Sequence, residues 1–154
     1  WVATHWPKYV EGCEIAGRKA DPANWRIAKN ICVAEDMATA KRYAREPGSP
    51  YHLYYSQLLT KMRKGGRLNL FKQDQEMPDD DVTLDYVLDK LVIHGDPSSV
   101  ADQVLAFREE TGDFGHLVYA GHDWTDYDLG RNSMILMAEK VMPKINDALK
   151  AEAA

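Results

Sequence analysis

Leu91-Val92-Ile93-His94-Gly95-Asp96-Pro97-Ser98-Ser99-Val100 reads as a short buried strand, a tight turn and the start of an amphipathic helix. Leu91 to Ile93 is an apolar, β-branched run too short for a helix and bounded by Gly95 and Pro97. Asp96 is placed to cap the helix, and Pro97 suits a first turn in which a missing N–H costs nothing. Val100, Val104 and Phe107, with Ala101 and Leu105 beside them, then recur at helical spacing up to about Thr111. A strand followed at once by a packed helix is half of a βαβ unit, and the pattern occurs twice more.

Upstream, Trp25 to Ala34 predicts a strand with Ile27, Ile31 and Val33 on one side and Ala28, Asn30 and Cys32 on the other. Asp36 can cap a helix from Met37 to Arg45. Downstream, His116 to Ala120 predicts a third strand after the Gly112-Asp113-Phe114-Gly115 turn. A last helix runs from about Thr125 past Lys140, with Met134, Met137, Ala138, Val141, Ile145 and Leu149 inward. Pro143 should kink or end it by removing the bond to the carbonyl of Glu139. A first helix is expected over Trp1 to Ala16, with Trp6, Val10 and Cys13 on one face and Gly17 as its stop.

Between the first two units lies an excursion. Pro47-Gly48-Ser49-Pro50 breaks one helix, and Tyr51 to Lys64 predicts another with a broad face of Tyr51, Tyr54, Tyr55, Leu58, Leu59 and Met62. That stripe serves either as packing or as a pocket lining. Arg67 to Asp81 has little periodicity, and Val82 to Asp89 suits a short helix. Strands alternating with helices imply an α/β fold with a parallel sheet. Three such strands leave open edges, so the chain is expected to be part of a larger α/β protein or to pair with a copy of itself.

Composition narrows the function. The 154 residues suit one domain, and the formal charge of −5 without a basic cluster argues against nucleic acid or an anionic membrane as partner. No run of about eighteen apolar residues occurs, so no membrane span is expected. Cys13 and Cys32 sit in apolar stretches without a CxxC, the pattern of buried free thiols, and a cytoplasmic location is expected. The opening at Trp1, inside a helix and without Met, suggests that the natural start lies upstream.

In parallel α/β folds ligands bind at the carboxyl ends of the strands. Glu35 and Asp36, His94, and His122-Asp123-Trp124 fall there. Imidazole at a strand end can donate a hydrogen bond or shuttle a proton near neutral pH, which makes His122 and His94 candidates. Asn30, mid-strand, either satisfies neighbouring backbone or faces a pocket. A metal could draw on His94, Asp96, His116, His122 and Asp123, but no HxxxH or HxH spacing occurs and none is expected. GxGxxG, GxxxxGK[ST] and GxSxG are all absent, and Ser98-Ser99 at a helix start is a generic anion site.

The segments 25–36, 91–100 and 115–124, together with Ser133-Met134 and Ala138-Glu139-Lys140-Val141-Met142-Pro143, resemble the C-terminal part of the bacterial-luciferase-like flavin monooxygenases, closest to the limonene- or alkane-type subgroup. The resemblance implies a (β/α)₈ barrel of which residues 1–154 would be the C-terminal portion. The three strands would be the sixth to eighth, and residues 47–89 an insertion covering the active site. It implies reduced FMN, delivered by a separate flavin reductase, and O2 as the reagents that oxygenate a small organic substrate. The remaining N-terminal barrel would be an obligatory partner, a homo-oligomer is expected, and the chain alone should be inactive and hold flavin poorly. His122 would be catalytic, with Asn30, His94, Trp124 and Tyr55 facing flavin or substrate. Family positions for Arg, His and Tyr in the alkanesulfonate branch fall at Ala28, Asn30 and His122, so sulfonate chemistry is not implied. A deazaflavin-dependent hydride-transfer reductase of the same barrel, and a non-catalytic α/β module completed by dimerisation, are the alternatives.

Overall fold

In β1 (Arg26–Val33) alternate side chains divide between two cores. The computed structural model describes residues 5–122 and 124–152. Ile31 and Val33 pack with Ile93, Val100, Ala101, Val104, Leu136 and Val141, whereas Cys32 packs with Tyr43, Tyr51, Tyr55, Leu59, Val87 and Val92. A period of two on a strand buried from both sides produces this division.

The elements follow in the order α1 (His5–Ile15), β1, α2 (Met37–Arg45), α3 (Pro50–Lys64), α4 (Leu84–Leu91), β2 (Val92–Gly95), α5 (Pro97–Thr111), β3 (His116–Ala120), α6 (Tyr127–Leu136) and α7 (Met142–Glu152). Single 3₁₀ turns at Pro22–Asn24, Leu68–Leu70 and Asp79–Asp81 punctuate the connections. The part of the first helix expected over residues 1–4 lies outside the described residues. The strand expected from Leu91 begins one residue later, because the Val92 N–H still donates to the Leu88 carbonyl and α4 passes into β2 without a loop.

All three strands are parallel, in the order β2-β1-β3. Asn30 is level with Val92 on one side and Ala120 on the other. The step from β1 to β2 and the step from β2 to β3 run in opposite directions across the sheet. Right-handed crossovers then place their helices on opposite faces. The cores show that division: α2, α3 and α4 share one with Cys32 and Val92, and α5 to α7 share the other with Ile31 and Ile93.

This order corrects the expectation of three successive barrel strands, which would lie side by side in chain order. β1 and β3 are the adjacent pair, with α5, α6 and α7 on a single face as in a barrel wall. β2 is delivered by α2 to α4 to the far edge and pairs only with residues 30–33. Among the described residues, the outer edge of β3 and the β2-side edge of residues 26–29 carry no partner strand. Ala28 and Val118, paired on the face that α3 covers only higher up, are exposed.

Pro143 neither ends nor sharply breaks the last helix. A π-helical turn over Met137–Val141 joins α6 to α7, with the Met142 N–H donating to the Met137 carbonyl. The wider turn absorbs the carbonyl that the proline leaves without a helical donor.

The caps stand as the sequence predicts. The Asp36 carboxylate accepts from the Thr39 N–H at 2.8 Å, and Asp96 accepts from the Ser98 and Ser99 N–H groups, both at 2.9 Å. The bonds from Ser99 hold the Asp96 carboxyl below its ordinary range. A depressed folded pKa gives stability that is complete above the unfolded value and lost as pH falls through the folded one. Asp96→Ala is therefore expected to lower chain stability by about 1 kcal/mol at pH 7, with the difference from the parent shrinking under acid. Urea melts at pH 7 and below pH 3 check it.

Candidate functional site

Beyond the last residue that β3 pairs, β1 still pairs with β2 through residues 31–33, and side-chain hydroxyls take two of its backbone groups. Tyr51, on α3, donates its O–H to the Ile31 carbonyl at 2.8 Å. Ser133, on α6, accepts the Val33 N–H at 2.8 Å and bonds the Tyr119 hydroxyl at 2.8 Å. These bonds tie a layer of tyrosines to the C-terminal half of the central strand.

Around that layer the chain builds an aromatic site. His122, two residues past the end of β3, stacks on Tyr54 with ring centroids 4.1 Å apart and meets the edge of Tyr51 at 5.1 Å. Tyr55 lies 6.3 Å from the His122 ring, and its hydroxyl accepts a short hydrogen bond from the Asn30 amide. Trp124 stacks on Tyr43 at 5.1 Å, and the Tyr43 hydroxyl accepts the Thr125 N–H at 3.1 Å.

Burial pushes the Tyr55 hydroxyl up to about 12 against the opposing bond from Asn30, and the Tyr119 hydroxyl up to about 12 against that of Ser133. Tyr51 is raised further, again chiefly by burial. These phenols stay protonated at neutral pH and act as hydrogen-bonding groups, not as charges. Cys32 beneath them is also raised to about 12 by burial, so its thiol is an inert packing group.

Two hollows open on this layer. One is an open depression lined by Gly48, Pro50, Leu53, Tyr54, Gln57, Gly121, His122, Trp124 and Thr125. The other lies lower on the same face, against Ala28, Lys29, Asn30, Tyr54, Tyr55, Leu58, Phe71 and Leu91. Tyr54 is shared by both. Among the described residues, no lysine, arginine, aspartate or glutamate lines the first, so it suits a flat or apolar neutral group.

The structure thus brings His122, Trp124, Tyr55 and Asn30 to one face. His94 shares that sheet face, level with Cys32, but lines neither hollow. His94 lies on the far strand β2, with β1 between it and β3, and the charges of Arg45, Asp89 and Lys41 act on its ring. Its Nδ1 is 3.2 Å from the Val92 carbonyl, and burial lowers its pKa, keeping the ring neutral at pH 7. Asp123 lies outside the described residues. No cluster of three or more metal-ligating side chains occurs among the described residues.

Sequence reasoning missed Tyr43, Ser133 and Gly130, which hold the site together. Tyr43 falls in a helix otherwise assigned to packing, and neither a lone serine nor a lone glycine in a predicted helix carries a signal of its own.

No family model matches the chain. It is 27% identical over 142 residues to the 3,6-diketocamphane 1,6-monooxygenase of Pseudomonas putida, covering 92% of this chain and 37% of that protein. It is 26% identical over 149 residues to the limonene 1,2-monooxygenase of Rhodococcus erythropolis, covering 96% of this chain and 35% of that protein. Among solved structures it matches the oxygenating constituent of the P. putida 3,6-diketocamphane monooxygenase, a type II Baeyer–Villiger monooxygenase solved in complex with FMN. The TM-score there is 0.78 at 26% identity, over 94% of this chain and 40% of that one. The chain therefore spans little more than a third of the length of the relatives it matches. Over nearly all of its residues the chain is similar, in sequence and in structure, to part of the luciferase-like flavin monooxygenases.

Proposed function

We propose that this chain is the C-terminal part of a flavin-dependent monooxygenase barrel that oxygenates a small neutral organic substrate with reduced FMN and O2, the flavin coming from a separate reductase. The observation that carries the reading is the aromatic depression beside the carboxyl end of β3, with no charged group among its described lining residues and with His122 set between Tyr54 and Tyr51. The partnerless edges of β3 and of residues 26–29 support it, since a closing barrel would continue from both. The match to an FMN-bound relative supports the cofactor.

The depression fits part of FMN. Its aromatic, neutral walls suit the flat ring system, whereas none of its described residues suits a phosphate, which would be held by other parts of the barrel. When bound, the reduced flavin supplies, with O2, the oxygen atom that the substrate receives. This chain's residues supply position and environment. Tyr54 and Tyr51 fix the His122 ring, which is placed to hydrogen-bond a polar atom of the substrate, such as a ketone oxygen. Leu53, Pro50 and Trp124 give it an apolar rim.

The reading is tested by combining the chain with the N-terminal barrel of its own gene product. Substrate-dependent O2 uptake with reduced FMN and labelled oxygen in the product are expected, and His122→Ala is expected to lower turnover about tenfold or more. The 154-residue chain alone should give no saturable quenching of FMN fluorescence at micromolar concentrations. Hydride transfer from a reduced deazaflavin without O2 uptake would replace the oxygenase reading. The partnerless β3 edge also suits a non-catalytic module, which would show as a concentration-dependent dimer in sedimentation with no flavin-dependent reaction.

A further inference from the structure

We propose that Trp124 is the wall that sets the girth of ligand the depression accepts, and that Gly130 is the positioning residue that sets Trp124. The inference rests on the reading of that depression as a substrate site. The Trp124 indole occupies a slot between two elements. On one face lies the Tyr43 ring of α2, nearly parallel at an interplanar angle of 22°. The backbone of α6 at Gly130 also lies against it, so close that a Cβ there would stand 2.5 Å from Cδ2 and 2.6 Å from Cγ of the indole. Ordinary contact begins near 3.4 Å, so only a residue without a side chain admits the ring at this distance.

The slot cannot open to make room. Tyr43 is buried, its hydroxyl accepts the Thr125 N–H, and its ring also meets Tyr51 edge-on. Gly121 closes the slot near Trp124 Nε1, where a Cβ would stand at 3.3 Å. The remaining way out for the indole is the depression, which Trp124 lines opposite Leu53 and Tyr54. A side chain at position 130 therefore drives the indole into the space a ligand would use, and a smaller residue at 124 widens that space. The described lining, apolar with polar groups at Gln57, His122 and Thr125, selects a cyclic ligand with one hydrogen-bonding group, such as a ketone.

The test compares a narrow and a bulky neutral ketone, cyclohexanone and 2-adamantanone, binding to the 154-residue chain by saturation-transfer NMR. Trp124→Leu is expected to raise the affinity for the bulky ketone relative to the narrow one by about tenfold, and Gly130→Ala to lower that ratio by a similar factor. The double variant should behave as Trp124→Leu, since no indole is left to displace, and should recover the thermal stability that Gly130→Ala loses. If Gly130→Ala does not fold, Trp124→Leu and the refolded double variant decide the matter alone. A parent chain that binds both ketones with a ratio unmoved by Trp124→Leu overturns this inference and leaves the oxygenase reading standing. A folded parent chain that binds neither ketone also overturns this inference, while the oxygenase reading stands or falls on the reconstituted barrel.

Discussion

Gly115→Ala is expected to be among the most damaging single-methyl changes in the chain, lowering stability by about 3 kcal/mol and the melting temperature by roughly 8 °C. Gly115 is exposed, so nothing about its burial announces this. Its backbone, however, lies directly against the 3₁₀ turn at Pro22–Asn24. A Cβ at position 115 would stand 1.9 Å from the Ala23 carbonyl oxygen, 2.5 Å from its carbon and 2.7 Å from its Cα. All three are backbone atoms, which no rotamer change can move. The turn is itself fixed, because Asp21 accepts the Ala23 N–H at 2.9 Å and the Trp25 N–H donates to the Pro22 carbonyl. Across the same contact the Trp25 carbonyl accepts both the Gly115 and the His116 N–H, at 3.1 and 3.2 Å, which starts the pairing of β1 with β3. Alanine must therefore part the two strands at their first rung. Ala23→Gly should not rescue it, since the obstruction is the carbonyl and not the Ala23 methyl. Thermal melts of Gly115→Ala and of Gly115→Ala with Ala23→Gly check this, and recovery in the double variant would show that a side chain was the obstacle.

The contrast between Gly115 and Asp96 shows what a sequence makes legible. Caps, helix faces and strand runs are local: Asp36 and Asp96 hold the helices their neighbours predict, and α2 and β3 occupy the predicted residues. The aromatic face of α3 was legible as a stripe, although its two roles, core at Tyr51 and Tyr55 and pocket wall at Leu53 and Tyr54, were not. Strand order was not legible, because three strands joined by long helical crossovers can be ordered in more than one right-handed way. Both histidines follow strands, yet β1 stands between theirs, and charged groups of α2 and α4 act on the His94 ring. Close backbone approaches such as Gly115 to Ala23 and Gly130 to Trp124 join residues distant in the chain or in different elements, and a glycine in a turn or helix gives no sign of them.

Ser133 is the second such residue, and its loss is expected to lower stability by about 2–4 kcal/mol. The side chain is fully buried at 0% exposure, and its oxygen serves two partners at once. It accepts the N–H of Val33, the last residue of the central strand, and it bonds the Tyr119 hydroxyl from β3. Ser133→Ala keeps the volume of the site almost unchanged, so its effect is not that of a cavity. It strands a buried amide and a half-buried phenol, each of which has given up water on folding. Tyr119→Phe removes one of those groups along with its bond and should cost only about 1 kcal/mol. In the Tyr119→Phe background Ser133→Ala should then cost less than in the parent chain, because only the Val33 amide is left without a partner. Strictly additive effects in urea-melt double-mutant cycles would mean that the phenol finds another partner once Ser133 is gone. Because Val33 precedes the turn into α2, and α2 carries Tyr43 beneath Trp124, the same substitution should loosen the wall of the aromatic depression. The near-ultraviolet circular dichroism of the tryptophan and tyrosine stack is expected to weaken below the melting transition, while Tyr119→Phe leaves that stack in place.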